Sequence, residues 1–331
     1  MKLKLSLISA SFFAMILMPN PASAQGTWEV VYDELYGILE DIHFIDEFEG
    51  WVVDSHFDDV GRIYHTTDGG FSWDLQDDPV IEGLYCVFFL NSEIGWVGGQ
   101  DGLIMHTNNG GDTWTEQQTP TIYHVYRIFF IDENIGWAVG GSQAVVTHSF
   151  ILGTRDGGET WEEQLFTFAT VPGVFRCIAF ADYNIGLAGG RLNQIYRTDN
   201  GGDDWESIPL DSIKTVHGLS YLGNGEFCGV GNDDSIYDLG FPGSVKTWDY
   251  GHNWYYTEFD SVEDELLLDV SFADSVNGLA VGYNGTNYYT TDGGNLWQWM
   301  EPLPESSLWT VSFPKPYVGW TNSGYGGKIY R

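Results

Sequence analysis

The chain has 331 residues, with 47 Asp and Glu against 13 Lys and Arg, and a formal charge of −34. That excess excludes a protein held electrostatically to nucleic acid or to an anionic membrane, because phosphate repels it. Aromatic residues at 16%, charged residues at only 18% and 42 glycines exclude an acidic disordered tail and a helical bundle, and suit strands and turns.

From the N-terminus, Lys2 and Lys4 precede an apolar run from Leu5 to Met18, and Ala22-Ser23-Ala24 forms an A-x-A cleavage site. This is the pattern of a secretory leader over residues 1–24, and it leaves Gln25 as the new N-terminus. Loss of the two lysines takes the charge to −36. The run is short for a transmembrane helix and no later stretch approaches one, so the expected location is secreted, periplasmic or cell-surface. Three cysteines, Cys86, Cys177 and Cys228, leave at least one thiol free. No catalytic signature surrounds them, and buried thiols are expected.

The remainder, 25–331, is one repeat array. A box, T-x-[DN]-x-G-x-x-W, begins at Thr66, Thr107, Thr154, Thr198, Thr247 and Thr290. Its Asx position is Asp68, Asn109, Asp156, Asn200, Asp249 and Asp292. A second unit precedes each box: DIHFIDEFEGWVV from Asp41, CVFFLNSEIGWVG from Cys86, RIFFIDENIGWAV from Arg127 and CIAFADYNIGLAG from Cys177. It continues from Gly218, Asp269 and Thr310, which makes seven copies against six boxes. The missing box is split between the ends. Gly26-Thr27-Trp28 matches the end of a box, and Gly327-Lys328-Ile329-Tyr330-Arg331 matches the strand before one. Each unit divides into four short strands, and radial repetition of such units describes a β-propeller. The expected fold is all-β, a seven-bladed propeller of four-stranded blades. The N-terminal strand closes the last blade, with Trp28 beside Ile329, so that no edge stays open.

The box suits a tight turn between third and fourth strands. Its Asx side chain can accept backbone N–H bonds, Gly can take φ > 0, and the Trp can enter the gap between blades. One acid per turn is too few for a calcium cage, so the six Asx residues are expected to be structural and no resident metal or cofactor is expected. Asp199, Asp203 and Asp204 cluster in one box as a weak candidate for a surface cation.

These boxes resemble the Asp-box (BNR-type) repeats of bacterial neuraminidases. The combined pattern F-x-D-x₃₋₄-G-W-x-V-G, Ile-Tyr strand, then T-x-D-G-G-x-x-W resembles more closely the propellers of the photosystem II stability/assembly factor class, over Gly26 to Arg331. That resemblance implies a non-enzymatic seven-bladed scaffold that helps assemble membrane complexes through an arginine-rich face. Here only seven arginines are present and the composition is acidic. A sialidase would need three converging arginines, a Tyr nucleophile with a Glu, and an Asp. The F-R-I-P motif is absent, with only Tyr126-Arg127-Ile128-Phe129 and Phe175-Arg176-Cys177-Ile178 in its place. No H-E-x-x-H, P-loop or G-x-S-x-G motif occurs either.

A partner is expected at the face opposite the boxes. The residues before the inner strands are Glu40, Tyr85, Tyr126, Arg176, His217, Leu268 and Trp309, with Asp41, Cys86, Arg127, Cys177, Gly218, Asp269 and Thr310 one step further in. Loops between second and third strands add His56, Asp101, Gln143, Arg191, Asn232, Asp233, Tyr283 and Tyr325. Tyr and Trp at a loop-built rim suit recognition of protein or sugar. His148–Gly153 and 233–246 look like longer excursions. The leading expectation is an exported, monomeric, non-catalytic propeller for protein binding or complex assembly. The alternative is a secreted carbohydrate-active protein, either a glycan binder or a sialidase-like glycoside hydrolase.

Overall fold

The computed structural model describes residues 26–35, 37–55, 60–76, 83–142, 147–169, 173–191, 194–210, 213–232, 241–259, 266–303 and 307–331. The leader expected over residues 1–24 lies outside them, as do residues 233–240 of the second excursion. Seven four-stranded antiparallel sheets form the blades of one propeller. The inner strands are Ile38–Phe44, Leu84–Phe89, His124–Phe130, Phe175–Phe180, Thr215–Gly223, Leu267–Phe272 and Leu308–Lys315. Helix among the described residues is limited to two 3-10 turns, Gln100–Gly102 and Tyr283–Gly285, and no helix is long and apolar enough to cross a membrane.

The seventh blade is built from both ends of the chain. Its outermost strand is Val30–Tyr32, paired with Ile329–Tyr330. The register differs from the expected one. Tyr32 lies opposite Ile329 and Val30 opposite Tyr330, while the Glu29 and Arg331 backbones exchange hydrogen bonds at 3.0 and 2.9 Å. Trp28 turns away to the sixth blade, where its Nε1 donates to Asn287 Oδ1 at 3.1 Å.

A blade has two apolar faces, so each must pack on its neighbours. The repeat supplies a mortise for this. The Phe that ends each of four inner strands stacks on the second-strand Trp of the preceding blade: Phe89 on Trp51, Phe130 on Trp96, Phe180 on Trp137 and Phe44 on Trp320, at 3.4–3.8 Å between centroids. The box Trp then meets the same Phe edge-on, as Trp114 meets Phe89 at 5.9 Å and 90°. Such geometries satisfy the ring quadrupoles and add about 0.5–1.5 kcal/mol per pair beyond burial. The Gly that opens the second strand permits this packing. A Cβ on Gly95 or Gly136 would lie 2.5 or 2.4 Å from the Phe ring of its own blade.

The box turns join the third and fourth strands. In the first, Thr66 Oγ1 donates to Asp68 Oδ1 at 2.8 Å and accepts from Gly70 N at 3.1 Å, while Asp68 accepts from Ser72 N and Oγ at 2.9 and 2.6 Å. Asn109 and Asn200 accept the equivalent amides of Thr113 and Asp204 at 3.0 Å, so the turn needs one carbonyl-type oxygen rather than a charge. Its glycines adopt positive φ, as at Gly69 (+82°) and Gly70 (+89°). The preceding blade reaches into the turn: Trp51 Nε1 and Gln76 Nε2 both donate to the Gly110 carbonyl, at 3.2 and 2.8 Å.

Two expectations are corrected. His148–Gly153 is not an excursion but lies within the third strand Thr147–Thr154, with Phe150, Ile151 and Leu152 fully buried. Asp199, Asp203 and Asp204 do not converge. Asp203 pairs with Arg155 at 2.6 Å, Asp199 lies 3.7 Å from Arg197, and Asp204 accepts from Asn200 at 3.1 Å. Cys86, Cys177 and Cys228 are all buried and free, and burial pushes the Cys177 and Cys228 thiols up to about 12.

Candidate functional site

Every inner strand is irregular near its start. Pairing with the second strand skips Glu40, Tyr85, Tyr126, Arg176, His217 and Leu268 in the first six blades, and Trp309 with Thr310 in the seventh. A bulge releases a residue from the ladder and re-aims its side chain. Here seven bulges aim one ring of side chains into the mouth of the central channel, at the rim opposite the box turns. The resulting funnel encloses about 470 Å³ and is lined by all eight of those residues, with Asp41, His124, Arg127, Arg191 and Tyr283. Of the residues singled out from sequence for this face, His56, Gln143 and Asp233 lie outside the described residues, and Cys86, Asp101, Cys177, Gly218, Asn232, Asp269 and Tyr325 lie outside the lining. Tyr325 is exposed and stands edge-on to Trp309 at 5.5 Å.

The floor is an ion triad of two buried aspartates and a half-buried arginine. Arg127, from the third blade, reaches Asp41 of the first at 3.3 Å and Asp269 of the sixth at 2.9 Å. Each aspartate also clamps two blades together. Asp41 accepts from Ile42 N and from Val87 N of the next blade, both at 3.0 Å. Asp269 repeats this with Val270 N and Val311 N at 2.9 and 3.1 Å. Burial raises the Asp41 carboxyl to about 6 against the pull of Arg127. Burial also opposes the charge on Arg127, but Asp269 and Asp41 outweigh it and hold the guanidinium ionised.

The walls divide by charge. On one side stands Glu40, whose carboxyl accepts from Ser55 Oγ and which burial lifts to about 7. On the other stand Arg176 and Arg191 of the fourth blade. Arg176 lies 4.0 Å from the centre of the Tyr126 ring, and its buried Nε has no hydrogen-bond partner among the described residues. Burial, then Arg176, lowers the Arg191 guanidinium, and burial followed by both arginines pushes His217 down to about 3. His217 is therefore neutral at physiological pH. Tyr85 and Tyr126 stack obliquely at 5.5 Å, and His124 meets Tyr85 at the same separation.

Three of only seven arginines in an acidic chain thus meet in one cavity. His124, two residues before Tyr126 on the same inner strand, was not singled out from sequence and joins the lining.

The ring of repeats defines a seven-bladed β-propeller of the BNR type, with a polar funnel at one mouth of its channel. The family model for photosynthesis system II assembly factor YCF48 matches residues 20–120 and 113–215. These spans cover more than half of the chain, which belongs to this family. No curated protein sequence matches significantly. Among solved structures, one titled "YCF48 bound to D1 peptide" is 19% identical with a TM-score of 0.68, covering 92% of this chain and 96% of that one. YCF48 from Cyanidioschyzon merolae is 17% identical with a TM-score of 0.69, covering 92% and 97%. The GH74 xyloglucanase from Xanthomonas campestris is 13% identical with a TM-score of 0.64, covering 92% of this chain but 53% of that one. At these identities the structural likeness concerns the fold alone.

Proposed function

We propose that the chain is a non-catalytic assembly scaffold, acting outside the inner membrane, that seats a segment of a partner protein in the central funnel. The observation that carries this reading is the convergence of Arg127, Arg176 and Arg191 beneath a rim of Tyr85, Tyr126, Tyr283 and Trp309 in an otherwise acidic chain. Aromatic and Arg side chains at the centre of a concave surface are what protein recognition uses. Membership of a family described as assembly factors supports it, and so does the relative whose title records a bound peptide. The test is capture of partners from the exporting cell on the immobilised protein, repeated with Arg176→Gln plus Arg191→Gln. A partner held by the native protein and lost from the folded double variant supports the reading. Equal capture by both overturns it.

A sialidase-like hydrolase is the second reading, since three arginines, tyrosines, Glu40 and Asp41 do share the funnel. Against it, Arg127 is engaged by Asp41 and Asp269, which leaves two guanidiniums to meet a sugar carboxylate. Turnover of a fluorogenic sialoside, lost on Glu40→Gln, would replace the scaffold reading.

A further inference from the structure

The funnel is not simply basic. In a ring of seven, the first blade faces the fourth and fifth. Glu40 therefore looks across the cavity at Arg176 and Arg191, with Tyr85 and Trp309 from the adjacent blades on either side of it. Two opposed charges, separated by aromatic walls, make a dipolar receptor. An anion alone would satisfy the fourth blade and be repelled by the first. A cation alone would meet the reverse.

Building on the protein-segment reading above, we propose that the funnel takes a zwitterionic stretch of its partner: a lysine-type ammonium at Glu40 between Tyr85 and Trp309, and a carboxylate at Arg176 and Arg191. The aromatic flanks suit the cationic end, because ring faces attract ammonium groups once water is excluded. The guanidiniums suit the anionic end, because their planar donors match a carboxylate.

The surroundings of Glu40 add a consequence that can be measured. It faces the carboxyls of Asp41 and Asp54 on its own blade and Arg176 opposite. Asp41 is tied to Arg127, and Asp54 accepts from Arg62 N at 2.8 Å. With burial dominant, Glu40 titrates at about 7 and is half protonated at neutral pH. An ammonium docking against it favours the carboxylate. Binding at pH 7 therefore releases about half a proton per complex, by linkage.

The experiment is calorimetry with acetylated peptides, Lys-Ala-Ala with up to three further alanines, whose only charges are the lysine and the free C-terminus. Controls replace Lys with norleucine or amidate the C-terminus, and free lysine is a further probe. The expected result is binding at least about tenfold tighter for one doubly charged peptide than for either control. Its enthalpy should depend on buffer ionisation in the way proton release requires. Glu40→Gln, an isosteric change, should abolish the lysine preference and the proton release together. Arg176→Gln should abolish the carboxylate preference alone. Equal binding of the norleucine control overturns the dipolar assignment but leaves the protein-segment reading intact. Equal binding of free lysine overturns the peptide occupant. Failure of every peptide, with the folded protein also capturing nothing from the cell, overturns both.

Discussion

Glu40 gives a sharp test of the funnel's electrostatics through stability alone. The native chain holds this carboxyl at about 7 against an ordinary 4.5, mainly because burial penalises the charge. A group whose native pKa is raised binds its proton more tightly when folded. Stability is therefore unaffected well below 4.5, falls as the pH rises from there to about 7, and is flat above. The full displacement of about 2.5 units corresponds to an upper bound of about 3 kcal/mol. Glu40→Gln removes the titration while keeping the size of the side chain and an acceptor for Ser55. Between pH 5.5 and 8.5 the variant should gain about 2 kcal/mol of stability relative to the native chain, the part of the linkage curve spanned by that window. Urea denaturation of both proteins at a series of pH values reads this directly. Curves that run parallel, or a variant whose advantage shrinks as pH rises, would refute the view that a carboxyl raised by burial lines the funnel.

Other perturbations address the scaffold. Trp96→Ala removes the stack on Phe130 at 3.5 Å and the Nε1 bond to the Gly157 carbonyl, and should cost about 3–5 kcal/mol in the urea midpoint. Arg127→Gln leaves Asp41 and Asp269 facing each other without a counter-charge; a loss of about 3–5 kcal/mol at pH 8 is expected, shrinking at pH 5 as Asp41 protonates. Asp156→Ala should cost about 1–2 kcal/mol at pH 7. The Asp156 carboxyl is lowered chiefly by the Thr160 hydroxyl, so its native contribution is present above the ordinary carboxylate range and disappears on acidification, and thermal melts of the two proteins should draw together at low pH. Removal of residues up to Tyr32 bares the Ile329–Tyr330 edge, so the melting temperature should fall and sedimentation should show concentration-dependent association.

The architecture was legible because it is written seven times. Repeat count, strand count and closure by the two ends all follow from where the tryptophans and box glycines recur, and a single blade would not have sufficed. Register was less legible. Trp28 behaves as a box tryptophan, donating to Asn287 of the preceding blade as Trp114 and Trp161 donate to Gln76 and Gln117, so Tyr32 rather than Trp28 takes the place opposite Ile329. His148–Gly153 misled because apolar residues in a long repeat look like an insertion, whereas they lengthen a buried strand. For the funnel, the ring of residues from Glu40 to Trp309 could be found by position. The members of the bridge, Arg127, Asp41 and Asp269, also share one repeat position, but their pairing was not legible, because it joins blades far apart in sequence and forms only when the circle is drawn.

The closed seam has a practical corollary. Glu29 and Arg331 lie hydrogen-bonded side by side, so in a chain started at Gly26 a short linker could join Gly26 to Arg331 and the polypeptide could be opened at another inter-blade loop. Such circular permutants would keep the same circle of sheets while moving the free ends away from the seventh blade. The site of chain opening then becomes a choice for the engineer, and fusion tags can be sited on whichever sector leaves the funnel mouth clear.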